Sequence, residues 1–210
     1  MTEEEAKAWL VARAVPRETV ERFEAFVALV LAENQQQNLI ARSTEATIWG
    51  RHIVDSAQLV GLAEDPNGPW LDIGAGPGFP GIVIALTTEA PVWLVEPRRL
   101  RAEFLMRAAD ALGLADRIVV FAEKIETAAI PAPPRTITAR AYAPLDRIFG
   151  VCQRFSGPNT IYVLPKGRGA ADELESARRT WQGAFHVERS ATDRDAAIVV
   201  ARAVRRRKTR

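Results

Sequence analysis

Apolar positions recur along this chain at two spacings, and the change from one to the other divides it. In residues 3–12 (EEEAKAWLVA) the acids come first and the apolar residues last, the order of a short helix whose first turn favours negative charge. From Arg17 onward, Val20, Phe23, Phe26, Val27, Val30 and Leu31 return every three or four residues. They predict a second helix to about Asn34, with that stripe in the core. A polar stretch, Glu33 to Asn38, precedes NLIARS, and Ser43 or Thr44 is placed to cap a third helix carrying Ile48, Trp49, Ile53, Val54 and Leu59. Pro66, Asn67, Gly68 and Pro69 then form a turn.

Beyond that turn the pattern becomes short apolar runs separated by helical segments. The runs begin with WLDI at 70–73, PVWLVE at 91–96 and IVVFA at 118–122, continue with ITAR from 137 and NTIYVLPK from 159, and end with FHVERS and AAIVVARAV. Strands alternating with helices predict the α/β class, with a mostly parallel seven-stranded sheet and right-handed crossovers. No helix separates the last two runs, which predicts an antiparallel edge. The expected organisation is a helical subdomain over residues 1–65, a sheet domain over 66–204 and a basic tail over 205–210.

The chemistry is concentrated in WLDIGAGPGFPG, residues 70–81, where a strand runs into a loop with Gly74, Gly76 and Gly78 and then into an apolar helix. Glycine takes positive φ and lets a backbone approach a ligand closely, and the following helix presents free N–H groups to the loop. These features predict a Rossmann-like nucleotide site, with a ligand-free tight turn as the bland alternative. Counted from Gly74, the dinucleotide spacing G-x-G-x-x-G requires glycine where Phe79 stands. Gly76, Gly78 and Gly81 satisfy it, but two residues beyond the strand end and around Pro77 and Pro80. A methyl donor and a nicotinamide cofactor both remain open. Glu96 ends the second strand about 20 residues after the loop, where an acid accepts hydrogen bonds from ribose hydroxyls in either class. The other positions at or after strand ends are Ile125, Glu126, Arg140 and Lys166.

With 48% hydrophobic and 26% charged residues, the composition is that of a folded protein and not a disordered one. No apolar run approaches the length of a membrane span, so a cytoplasmic protein without membrane partners is expected. Cys152 is the single cysteine, on a helical pattern, and is read as a small core residue. His52 and His186 have no Cys/His neighbours at ligand spacing, so no metal is expected. The net charge of +2 hides an asymmetry: residues 66–210 carry 22 Lys/Arg against 15 Asp/Glu, a net +7, while residues 1–65 are acidic. A basic sheet domain is compatible with a nucleic-acid partner.

NLIARS, RHIVDS, LDIGAGPGFPGIVIA, RRLRAEFL, ARAYAPLD and LPKG together resemble the bacterial 16S ribosomal RNA guanine N7-methyltransferases, the glucose-inhibited division protein B family, over nearly the whole chain. The resemblance implies a class I S-adenosylmethionine-dependent methyltransferase. Its donor S-adenosyl-L-methionine would contact Gly74, Phe79, Ile125, Glu126 and Arg140, with Glu96 at the ribose and Gly76 and Gly78 completing the loop. The implied substrate is a guanine in the decoding-region hairpin of 16S rRNA, met in the small ribosomal subunit or an assembly intermediate by a monomeric enzyme. Guanine N7 has a free lone pair and no proton, so no general base is required and catalysis should be positioning, with Arg140 and Lys166 as candidates. Candidate RNA contacts are Arg51, His52, Arg98, Arg99, Lys166, Arg168, Arg205, Arg206, Arg207 and Lys208. His52 has domain packing as its other reading. A nicotinamide-dependent oxidoreductase and a noncatalytic RNA-binding module are the alternatives.

Overall fold

A computed structural model describes residues 1–208. Its strands are β1 (Trp70–Ile73), β2 (Val92–Val95), β3 (Ile118–Phe121), β4 (Thr136–Thr138), β5 (Ile161–Lys166), β6 (Trp181–Arg189) and β7 (Ala197–Arg206). They form one sheet in the order β3-β2-β1-β4-β5-β7-β6. β1 to β5 are parallel, and β7 runs antiparallel to both β5 and β6. The final pair is antiparallel as the sequence predicts. The last strand, however, lies inside the sheet, and β6 takes the edge.

Alternate strand residues face opposite ways, and the two faces carry two cores. Trp70, Val92, Leu94, Val163 and Val200 pack with α4 (Gly81–Thr87) and α5 (Arg99–Ala111). Leu71, Val95, Ile137, Tyr162 and Val199 pack with α6 (Leu145–Cys152) and α7 (Ala170–Thr180). The N-terminal helices α1 (Glu3–Ala12) and α2 (Arg17–Asn34) join the first core: Phe23, Phe26 and Val30 of α2 are wholly buried beside Ile82 and Leu105. Each such phenylalanine contributes on the order of 1.5–3 kcal/mol by leaving water. Residues 1–65 therefore share a core with the sheet.

Three details depart from the sequence expectations. The third helix is irregular: a 3-10 segment Arg42–Thr47, a π-helix Trp49–Val54, one α turn α3 (Asp55–Ala57) and a 3-10 turn Val60–Leu62. Neither Ser43 nor Thr44 caps it, because the Thr44 hydroxyl donates to the Ala41 carbonyl at 2.8 Å. β6 starts at Trp181, four residues before the run FHVERS; the Trp181 ring is buried and its Nε1 donates to Asp146 at 2.8 Å. Arg205 and Arg206, expected in a tail, are the last residues of β7 and pair with Gln182 and Trp181. Arg207 is pinned by its Nε to the Arg178 carbonyl at 2.8 Å, and residues 209 and 210 of the expected tail lie outside the described residues.

Candidate functional site

The glycine loop leaves the carboxyl end of β1, at the point where the strand order turns outward in both directions, the position where open α/β sheets bind ligands. Gly74, Gly76 and Gly78 have φ of +68°, +54° and +95°, conformations a side chain disfavours. Two buried acids hold the loop. Glu96 accepts from the Gly76 N–H at 2.9 Å and the Arg98 N–H at 2.9 Å, and is 4% exposed. Its carboxylate thus fastens the loop to the end of β2. Asp72 accepts from the N–H of Gly81, first residue of α4, at 2.9 Å, while its other oxygen has no partner. Burial pushes its pKa up to about 7, against the Gly81 N–H and the nearby Arg140 charge.

Phe79 leads from the loop to the N-terminal helices. Its ring stacks on His52 at 4.9 Å and lies 5.0 Å from Phe26. Arg140, beyond β4, donates through Nη2 to His52 Nδ1 at 2.8 Å and through Nη1 to the Arg51 carbonyl at 3.2 Å, and pairs with Asp55 at 3.6 Å. Since Nδ1 accepts, His52 carries its proton on Nε2, which donates to Thr44 Oγ1 at 3.2 Å. Burial, then the Arg140 and Arg51 charges, lower its pKa to about 3. His52 is 8% exposed and neutral. Of its two sequence readings the structure shows the packing, with the ring against Phe79 and Arg140, and His52 also lines the cleft.

These groups surround a cavity of about 960 Å³, lined among others by Gly74, Gly76, Phe79, Arg51, Arg101, Arg140 and Arg168. A second cavity of about 240 Å³ is lined by Lys124, Ile125, Glu126, Pro97 and Arg147. The two share Gly74 and Tyr142. A Cβ on Gly74 would lie 2.6 Å from the Tyr142 ring, so that ring lies directly against the loop. Gly74, Gly76, Phe79, Arg140, Ile125 and Glu126, far apart in the chain, therefore converge. Gly78 instead packs against Ile82 and Phe26.

The cationic candidates divide. Lys166 is enclosed, with Nζ 2.7 Å from the Ala143 carbonyl and 2.7 Å from Glu173, whose carboxylate also accepts from the Leu145 N–H at the start of α6. It ties the wall of the cleft together. Arg51 and Arg168 stand exposed at its mouth. Arg98 and Arg99 are exposed at the start of α5 and line neither cavity. β7 starts opposite Lys166 and runs ten residues away from the cleft. Arg205 to Lys208 therefore lie roughly 30 Å from the cavity at the strand rise per residue. Tyr142, Arg101, Asp55, Glu173 and Asp193 also line the large cavity and were not singled out as ligand contacts by sequence. Tyr142 lies within ARAYAPLD and Arg101 within the basic first turn of α5, whereas Asp193 carried no local signal.

A glycine loop after the first strand, an acid ending the second and an antiparallel seventh strand beside the fifth define a class I S-adenosylmethionine-dependent methyltransferase fold. A dinucleotide-binding Rossmann sheet would run 3-2-1-4-5-6 throughout. The fold is shared with the solved O-methyltransferase of Bacillus cereus in complex with SAH (TM-score 0.61, 16% identity, 92% of this chain and 95% of that one). It is also shared with a ribosomal protein L11 methylase of Lactobacillus delbrueckii (TM-score 0.55, 14% identity, 73% and 77%). The chain belongs to the rRNA small subunit methyltransferase G family, whose family model matches residues 19–197. It is 50% identical to the ribosomal RNA small subunit methyltransferase G of Rhizorhabdus wittichii, over 99% of this chain and 95% of that one. The counterpart in Novosphingobium aromaticivorans is 48% identical, over 96% and 89%.

Proposed function

We propose that this protein transfers a methyl group from S-adenosyl-L-methionine to N7 of a guanine in the decoding-region hairpin of 16S rRNA. The observation that carries this reading is a cleft in which the cavity at the glycine loop and the smaller one beside Ile125 and Glu126 meet at Gly74 and Tyr142, with Arg51 and Arg168 at the mouth and a neutral histidine beside it. The donor fits the residues present: Gly74 and Gly76 leave backbone open to a ligand, and Ile125 with Glu126 lines the smaller cavity beside them.

The bound donor supplies an electrophilic methyl on a sulfonium. Gly74, Gly76, Phe79 and Arg140 would hold it in the larger cavity, with Ile125 and Glu126 lining the smaller cavity beside it. Guanine N7 presents a lone pair and no proton, so the chemical step leaves no proton for the chain to accept. His52 could not accept one, since Nδ1 is engaged by Arg140 and its pKa lies at about 3. Catalysis is then alignment within a site tolerant of the transferred charge. Arg51 and Arg168 at the mouth are the cations placed for phosphates. The substrate is 16S rRNA within the small subunit or an assembly intermediate, modified by a monomer in the cytoplasm.

The test is methyl transfer from labelled S-adenosylmethionine to small subunits lacking the modification, with nucleoside analysis of the digested rRNA. Label in 7-methylguanosine is expected. Label in another nucleoside, or none despite donor binding, would overturn the reaction while leaving the fold.

A further inference from the structure

Of the cations around the large cavity, Arg140 and Lys166 are spent on internal contacts, and Arg101 donates to the Asn38 carbonyl at 2.9 Å. Arg51 and Arg168 are left at the mouth, with side chains 54% and 85% exposed. Each is paired with an acid from the same loop, residues 190–196 between β6 and β7: Arg51 with Asp193 at 3.7 Å, and Arg168 with Asp195 at 3.1 Å.

The loop itself is held firmly. Thr192 Oγ1 donates to Asp55 Oδ1 at 3.0 Å, the Ala191 N–H donates to Gln58 Oε1 at 2.8 Å, and the Asp195 N–H donates to Asp193 Oδ1 at 2.9 Å. Its backbone is thus fixed to the helical part, while its two carboxylates reach arginines carried by two different segments. Arg51 precedes His52 in the π-helix, and Arg168 follows β5.

We propose that residues 190–196 present Asp193 and Asp195 as built-in counter-anions to Arg51 and Arg168, and that two phosphates of an RNA backbone take their place when substrate docks. The inference rests on the RNA-methylating reading above. Exposed ion pairs contribute little to stability, so these two can open without unfolding the loop. An RNA must then supply phosphates at both arginines to exchange both pairs. Each arginine that a phosphate takes leaves one carboxylate without its partner, so every exchange carries a cost that the phosphate contact must exceed. Asp193 and Asp195 in this sense raise the cost of RNA docking at the mouth, and an RNA held by these two arginines alone is bound weakly.

The test compares the native protein with Asp193→Asn/Asp195→Asn, using a noncognate single-stranded RNA and the unmodified small subunit over a salt series. Asn keeps the acceptor for the Asp195 N–H and removes both charges. Asp110→Asn/Asp116→Asn serves as a control of equal charge, with both residues exposed and away from the cleft. Freeing two arginines should steepen the log–log salt slope by roughly one to two and tighten noncognate binding about tenfold at low salt. Cognate affinity should rise as well. The control should move all RNAs equally and slightly. An unchanged slope, weaker binding, or a shift matched by the control overturns the proposal. Failure of the native protein to bind any RNA would instead overturn the function reading.

Discussion

Arg140 Nη2 donates to His52 Nδ1 at 2.8 Å, joining the loop after β4 to the π-helix across 88 residues of chain. With Asp55 and the Arg51 carbonyl as its other partners, Arg140 is held in one orientation beside Phe79 and Gly74. Lysine in its place keeps the charge but cannot reach several partners from one planar fork. Arg140→Lys is expected to weaken donor binding at least about tenfold and to cost about 1–3 kcal/mol of stability by leaving His52 Nδ1 or the Arg51 carbonyl without its donor. Titration calorimetry and urea unfolding measure the two; unchanged donor affinity would remove Arg140 from the donor site.

His52 and Asp72 give stability opposite slopes with pH. His52 has its folded pKa lowered from 6.5 to about 3, so the unfolded chain takes up the proton first and stability falls as pH drops through that window. Asp72 has its folded pKa raised from 3.8 to about 7, so its contribution is lost as pH rises through that range. Between about pH 4 and 6.5 the two oppose each other, each limited to about 1.4 kcal/mol per pH unit. Asp72→Asn should unmask the histidine: its urea midpoint should fall on acidification from pH 6.5 to 4 more steeply than the native one. Parallel profiles would show that Asp72 does not titrate there.

Two glycines of the same segment should fail differently. Gly76 has φ +54° and no atom within 3.6 Å of where a Cβ would sit, its nearest neighbour being the Gly74 carbonyl oxygen at 3.7 Å. Gly76→Val should therefore cost about 1–3 kcal/mol of backbone strain while abolishing donor binding in a chain that still folds. A Cβ on Gly81 would drive into the Leu94 side chain and Asp72. Gly81→Ala should lower stability by about 1–3 kcal/mol through overpacking, with donor affinity kept in the folded fraction. Melting curves with and without donor separate the cases.

Lys166 is expected to behave as a strut. Because its ammonium is taken by Ala143 and Glu173, Lys166→Met should leave the salt slope of RNA binding unchanged. It should destabilise the fold by about 1–3 kcal/mol, since Glu173 loses its charged partner. Lys166→Met/Glu173→Leu should recover part of that loss. A shallower salt slope in the single variant would make Lys166 a phosphate contact after all.

The elements and the loop were legible in the sequence because they rest on local rules. Val20 to Leu31 repeat at helical spacing, WLDI ends in glycines, and strands alternate with helices. What escaped depends on contacts between segments far apart in the chain. His52 reads as a polar helix residue beside Arg51 and Asp55, and only the approach of Arg140 and Phe79 shows why it is buried. Lys166 stands at a strand end, and nothing local shows that Glu173, seven residues on, turns back to pair with its ammonium. The irregular turns from Arg42 to Leu62 escaped for a related reason. The Arg51 carbonyl accepts from the distant Arg140, while the Thr44 and Ser56 hydroxyls take carbonyls three and four residues back, and the regular helical ladder is interrupted.

The interior position of β7 governs the order in which the molecule can be completed as it emerges from the ribosome. β1 to β4 need nothing beyond residue 138 to pair with one another, but one flank of β5 is closed only by residues 197–206. Until these arrive, Ile161 to Leu164, fully enclosed in the finished fold, form an open apolar strand edge of the kind that recruits other chains. The nascent protein is thus most vulnerable to aggregation late in synthesis, and a chain stopped before β7 would retain the glycine loop and its neighbours yet remain sticky and incomplete.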